Sequence, residues 1–158
     1  MENKQDSSLS LVLRETALVA DFLALLKEEE RVLNNGDADA LELIIQQKQG
    51  AMNALHAIEA ERLELFSRLN IVPAKDGERS FLVAPEGLTQ LDEAWEQLLE
   101  VITLAHAQHE LNGALIAAYQ QKTSAALGVL LQNHNELGLY NRGGTASPFA
   151  ARRLVDSA

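Results

Sequence analysis

The stretch "RVLNNGDADALELI", residues 31–44, decides how the chain folds. Val32 and Leu33 close two apolar series, and Leu41 and Ile44 open another. Between them "NNGDAD" (34–39) stops one helix and starts the next. Gly36 suits the left-handed residue that ends a helix, and Asp37 suits the cap of the one that follows. So short a turn between two long helices dictates an antiparallel hairpin.

Upstream of the turn, Leu11, Leu18, Leu25 and Val32 recur every seven residues, beside a second series of Val12, Val19, Leu26 and Leu33. Two adjacent apolar columns make a broad helical stripe, which predicts a helix over about 6–34 with Asp6, Ser7 and Ser8 as cap candidates. Downstream, Leu41, Ile44, Ile45, Met52, Leu55, Ile58, Leu65, Phe66 and Leu69 predict a second helix over about 37–70. Lys48 and Arg62 fall in the same sevenfold column as Leu41, Leu55 and Leu69. Their aliphatic stems are expected to lie on the seam, with their charges paired to glutamates of the first helix.

Residues 71–87, "IVPAKDGERSFLVAPEG", break the periodicity with two prolines and two glycines and form a connector without sheet. Phe81–Val83 is expected to anchor it to the core, since exposed linkers seldom carry such residues. A third, longest helix follows over about 86–135. Stepping three and four along it gives Leu88, Leu91, Trp95, Leu98, Ile102 and Ala105, after which His109, Asn112 and Thr123 interrupt the apolar seam. Roughly 48 residues span about 70 Å, against about 45–50 Å for the hairpin arms, so part of the third helix is expected to project. Its end carries Leu115, Ile116, Tyr119, Leu127, Leu130 and Leu131, an apolar surface with no intramolecular partner left to cover it. Such a patch marks an interface, unless the helix bends or copies of the chain cover one another.

The expected fold is therefore all-α: an antiparallel helical hairpin plus a long third helix, a coiled-coil-like three-helix bundle. A helical domain over 1–137 would carry a flexible C-terminal tail over 138–158. The composition agrees, because 47% apolar residues with only 4% aromatic means mostly Leu and Ala, the material of helices packed side by side. Cysteine is absent, which excludes disulfides, thiolate metal sites and cysteine nucleophiles and suits a cytoplasmic location. "MENKQDSSLS" lacks the basic and apolar regions of a secretory signal. Apolar runs such as "ALIAAY" fall far short of a membrane span, so no direct membrane insertion is expected. A net charge of −10 argues against nucleic acid.

Chemistry is hard to find. "HAQHE" spaces His106 and His109 three apart without the intervening glutamate of a zinc hydrolase, and no Glu-x-x-His pair of the di-iron kind is present. Nucleophile elbows are missing, and "NRGGTAS" lacks the lysine of a phosphate loop. The reading is no enzyme, no metal and no cofactor.

The hairpin "LALLKEEERVLNNGDADALELIIQQKQGAMNALHAIEAERLELFSRL" (23–69) resembles that of the FlgN-type flagellar export chaperones. Leucines, an acidic cluster, a Gly-Asp turn and spaced basic residues occur in the same order. "HAQHELNGALI" (106–116) resembles the Asn-Gly segment of that family's third helix, and "GLYNRGG" (138–144) is similar to its tyrosine-bearing tail motif, with Asn141-Arg142 where members often have glycine and an acidic residue. The resemblance implies a cytoplasmic chaperone that binds the C-terminal amphipathic helices of the hook-associated junction proteins, FlgK and FlgL. It would prevent their premature assembly and deliver them to the export-gate protein FlhA. It also implies that Tyr140 docks on the gate.

The tail residues themselves read as a docking peptide over 138–148 or as a frayed end with an incidental tyrosine. Gly138 alone would end the helix, so Tyr140, Gly143 and Gly144 exceed that need, and Tyr140 can bury a ring while its hydroxyl hydrogen-bonds. The alternative reading is a self-associating coiled-coil structural or adaptor protein, a homodimer among the arrangements open to it.

Overall fold

The computed structural model describes the backbone of residues 2–73, 81–83 and 89–137, and the side chains of residues 6–72 and 89–132. In order along the chain the elements are α1 (Glu2–Asn35), α2 (Ala38–Leu69), β1 (Val72–Pro73), β2 (Phe81–Val83) and α3 (Thr89–Leu137). The architecture is all-α, with one very short strand pair in the connector.

The turn between α1 and α2 forms as its residues require. Gly36 sits at φ 69°, its N–H bonding the Leu33 carbonyl at 3.2 Å, while the Asp37 N–H reaches the Val32 carbonyl at 3.4 Å. This pair of bonds closes the end of α1 around one left-handed residue. A Cβ built at Gly36 would meet nothing within 4 Å, so backbone conformation alone calls for glycine there. Asp37 is the N-cap of α2: its Oδ1 accepts the Ala40 N–H at 3.0 Å. The other end of α2 repeats the device with asparagine. Asn70 is left-handed (φ 55°, ψ 35°), its N–H bonding the Ser67 carbonyl at 3.2 Å and that of Ile71 bonding Phe66 at 2.9 Å. Ile71 and Phe66 both lie in the core, the apolar contact that commonly accompanies this motif.

Two features depart from expectation. The first helix starts at Glu2, so Asp6, Ser7 and Ser8 lie inside it rather than capping it. Ser8 is fully buried, and with Leu11 and Val12 buried just after it the apolar stripe carries the helix through residues that would otherwise favour a cap. The connector, expected to hold no sheet, pairs β1 with β2 antiparallel, Val72 opposite Val83 and Pro73 opposite Phe81, with an irregular step between Val72 and Pro73. A proline without an N–H belongs on such a short, edge-only ladder. The expected anchoring of Phe81–Val83 in the core concerns side chains outside those described. So does everything expected of Tyr140, Gly143 and Gly144.

The core is built from one column of α1 (Val12, Val19, Leu26), Phe66 and Ile71 at the end of α2, and Leu91, Ala94, Trp95, Leu98 and Ala105 of α3. Of the two adjacent columns in α1, the one through Leu26 points fully inward, while Leu18 and Leu25 are half-buried. Each leucine so buried contributes about 1.5–3 kcal/mol relative to exposure.

Two polar layers cross this core. In the first, Arg62 Nε donates to Glu15 Oε2 at 2.5 Å, with both side chains less than a tenth exposed. The Arg62 guanidinium lies 5.1 Å from the Trp95 ring centre and 5.8 Å from that of Phe66. In the second, Lys48 Nζ donates to both carboxylate oxygens of Glu29 at 2.9 and 2.8 Å. Asn112 of α3 completes that layer. Its Nδ2 donates to the Leu26 carbonyl at 2.7 Å and to Glu29 Oε2 at 2.8 Å, while its Oδ1 accepts from Gln108 Nε2 at 3.0 Å. Gln108 in turn donates to Glu30 at 2.7 Å. Both basic residues in the apolar column of α2 therefore pair with first-helix glutamates, as the sequence leads one to expect. The layers stand two heptads apart on α1 (Glu15, Glu29) and on α2 (Arg62, Lys48), the spacing an antiparallel hairpin requires.

The chain divides into two compact units, residues 1–115 and 116–158, the division falling within α3. The core and both polar layers belong to the first.

Candidate partner-binding surface

In the first unit the inward column of α3 runs Leu91, Leu98, Ala105 and Asn112, all buried. Seven residues further, in the second unit, the same column reaches Tyr119, which is 39% exposed. From there every described side chain, residues 117–132, is exposed. Leu127, Leu130 and Leu131 are 55%, 64% and 62% exposed, and Val129 is exposed as well. Lys122 is the one charged residue between 116 and 132. A helix end that was merely solvated would carry charge; this one carries exposed leucines with a single lysine among them.

The six residues read from the sequence as a binding surface all lie on α3. Leu115 ends the first unit and is half-buried, as is Ile116 at the start of the second; the other four are exposed. At 3.6 residues per turn, Ile116, Tyr119, Leu127 and Leu130 fall within an arc of about 80°, and Leu131 widens it to about 120°. That width is typical of the apolar stripe of an amphipathic helix. The arrangement offers dispersion and burial, together with the Tyr119 hydroxyl and the aliphatic stem of Lys122.

A second apolar feature escapes the sequence reading. Leu104 and Leu111, 58% and 45% exposed, line a shallow groove with Leu23, Lys27, Ala107 and Gln108. Its volume is about 240 Å³, less than a drug-sized ligand fills. The spacing of Leu104, Ala107, Gln108 and Leu111 at i, i+3, i+4 and i+7 was the available signal, masked because the inward columns of α3 account for the helix without it.

Among the described residues, no group of three or more His, Cys, Asp or Glu side chains is placed to hold a metal ion. No described helix is long and apolar enough to cross a membrane. His106 Nδ1 stands 3.8 Å from Glu110 Oε1 on the open surface of α3, a solvated i,i+4 pair without a third group. On α1, Arg31 hydrogen-bonds Glu28 through two nitrogens, Nε at 2.9 Å, and this bond, helped by charge attraction, holds the Glu28 carboxyl below its ordinary range despite opposing desolvation.

The family model described as FlgN protein matches residues 1–148 of this chain. Comparison with curated proteins finds no match, and comparison with solved structures finds none either.

Proposed function

The chain belongs to the FlgN family of flagellar export chaperones, and from that premise we propose that it binds the C-terminal amphipathic helices of hook-associated junction proteins of the FlgK and FlgL type. It works in the cytoplasm, masks those helices against premature assembly, and delivers them to the export-gate protein FlhA. The observation that supports this reading is the face of α3 around Tyr119, Leu127, Leu130 and Leu131, apolar, exposed and almost uncharged.

The physical fit is direct. An amphipathic helix is recognised by apolar side chains on a facing helix, at i, i+3, i+4 and i+7 anchor positions. Leu115, Ile116, Tyr119, Leu127, Leu130 and Leu131 offer that pattern over about four turns. Masking requires no bond to be made or broken, so the role needs neither catalytic group nor cofactor. Tyr140, with Gly143 and Gly144, is the docking element for the gate in this scheme, leaving α3 to the cargo. Separate surfaces for cargo and gate allow both to be held at the moment of transfer.

Leu130→Asp tests the cargo surface. A carboxylate placed on the apolar face loses roughly 1.5–3 kcal/mol of leucine burial in the complex and adds a desolvation cost. Binding to a peptide of the junction protein's C-terminal helix, read by isothermal titration calorimetry, is expected to weaken at least tenfold, with helical circular dichroism and melting temperature nearly unchanged. A variant that unfolds would make this segment core. Unchanged peptide affinity with loss of self-association by sedimentation would instead make the face a seam between copies of the chain.

A further inference from the structure

The register of α2 on α1 is set covalently, by the two-residue turn at Gly36–Asp37. That of α3 is not. The strand pair returns the connector to its start by residue 83, but the five residues 84–88 at about 3.3 Å each still reach more than the ~10 Å that separates one heptad from the next. The apolar columns do not choose either. Val12, Val19, Leu26 and Leu33 repeat every seven residues, so sliding α3 by a heptad would exchange one aliphatic contact for another. Such degenerate repeats need an odd residue to select one alignment.

We infer that Trp95 and Asn112 are the two positioning residues that fix the axial register of α3 on the hairpin. Asn112, 1% exposed, uses both amide hydrogens: one on the Glu29 carboxylate and one on the main-chain carbonyl of Leu26. The first bond is the informative one, because every turn of α1 presents a main-chain carbonyl, whereas the positions one heptad from Glu29 are Phe22 and Gly36, neither of which carries a carboxylate. After a slide of one heptad, Ala105 or Tyr119 takes that place. Alanine donates nothing, and a phenol ring does not fit where a buried amide sits. The displaced amide of Asn112 would meanwhile have no carboxylate for its second hydrogen. Trp95 acts at the other layer. Its ring lies under the Arg62 guanidinium and 5.9 Å from Phe66, and a heptad slide would bring Leu88 or Ile102, neither of which has a π-face to offer a cation. Buried polar groups used in this way specify one alignment while contributing little net stability.

The chain contains no cysteine, so cysteines introduced for Ala20 on α1 and Glu100 on α3, both exposed in the first unit, give a clean pair of spin-label sites in the full-length protein. Pulsed electron paramagnetic resonance should return one distance component for this background. Trp95→Leu alone and Asn112→Leu alone should each retain it, since one marker suffices. The Trp95→Leu/Asn112→Leu variant should add a second, resolved component, shifted by less than the ~10 Å axial slide because the labels also stand apart across the helices, with its helical circular dichroism retained. Restoring Asn112 should remove it. Should the leucine pair lower the helical signal, Trp95→Met/Asn112→Met is read the same way. A single unshifted component in the double variant, or scattered distances already in either single variant, would overturn the inference.

Discussion

The Glu15–Arg62 pair offers the sharpest test of how this core is held. Neither side chain is more than a tenth exposed, and Glu15 has no second cation in hydrogen-bonding reach among the described residues. Arg62→Met would leave the Glu15 carboxylate buried without its donor, and the cost of an uncompensated buried charge is about 3–5 kcal/mol. Glu15→Leu should cost less, about 3 kcal/mol, at the lower end of that range. There the guanidinium keeps the Trp95 and Phe66 faces and a 4.0 Å approach to Glu59. Removing both together leaves no stranded charge. Apolar replacements of buried pairs are often neutral or stabilising by about 1–4 kcal/mol, and the lost ring contact offsets about 0.5–2 kcal/mol of that. Glu15→Leu/Arg62→Met is therefore expected to melt close to the parent protein, giving a coupling energy of several kcal/mol. Urea unfolding followed by far-ultraviolet circular dichroism measures it, with the single tryptophan, Trp95, as a second probe of the same layer. If the double variant is destabilised by the sum of the two single ones, the charges are not coupled, and the apolar packing around them holds the layer.

Glycines at two kinds of position should respond in opposite directions. Gly36→Ala places a Cβ at φ 69° and is expected to cost about 1 kcal/mol in urea unfolding, whereas Gly50→Ala, mid-helix and with open space around the new carbon, should add about 0.5–1 kcal/mol. Tyr140→Ala is expected to leave affinity for the junction-protein peptide unchanged while reducing binding to the cytoplasmic domain of the gate and export of the cargo. Wild-type export from that variant would remove the tail from the mechanism. The depressed Glu28 carboxyl contributes stability that is present above its unfolded-state titration and is lost as pH falls through the lower folded-state value. Because the pair is solvent-exposed and screened, Glu28→Gln should leave the melting temperature at neutral pH almost unchanged and flatten its fall only below about pH 4.

What could be read in advance divides along physical lines. The hairpin was legible because Gly36 and Asp37 signal through their own backbone and side-chain preferences, which need no knowledge of the rest of the molecule. Lys48 and Arg62 were legible in the same way: a long basic side chain in an apolar column calls for a carboxylate across the seam, and α1 supplies one at each layer. Where α1 begins was not. Asp6, Ser7 and Ser8 have the local chemistry of a cap, and only the burial of Ser8 by tertiary packing makes them interior to the helix. Residues 72–73 and 81–83 pair across a loop rich in breakers, a non-local event that periodicity does not register. Asn112 was visible only as an interruption of the seam. Its partners, Leu26 and Glu29, lie more than 80 positions away, so its role appears only once α3 is laid against α1. The apolar end of α3 was visible residue by residue, because a run of leucines without charge stands out whatever surrounds it.

The tight turn also orders events in time. Contacts within the hairpin close short loops, as between Glu29 and Lys48, 19 residues apart, whereas Asn112 meets Leu26 across 86. On loop-closure entropy alone the longer contact costs about 1.3 kcal/mol more, close to a tenfold delay. The hairpin is thus expected to form first and present a template on which α3 docks. Substitutions at Gly36 or Asp37 should then slow folding, while those at Asn112 should chiefly hasten unfolding.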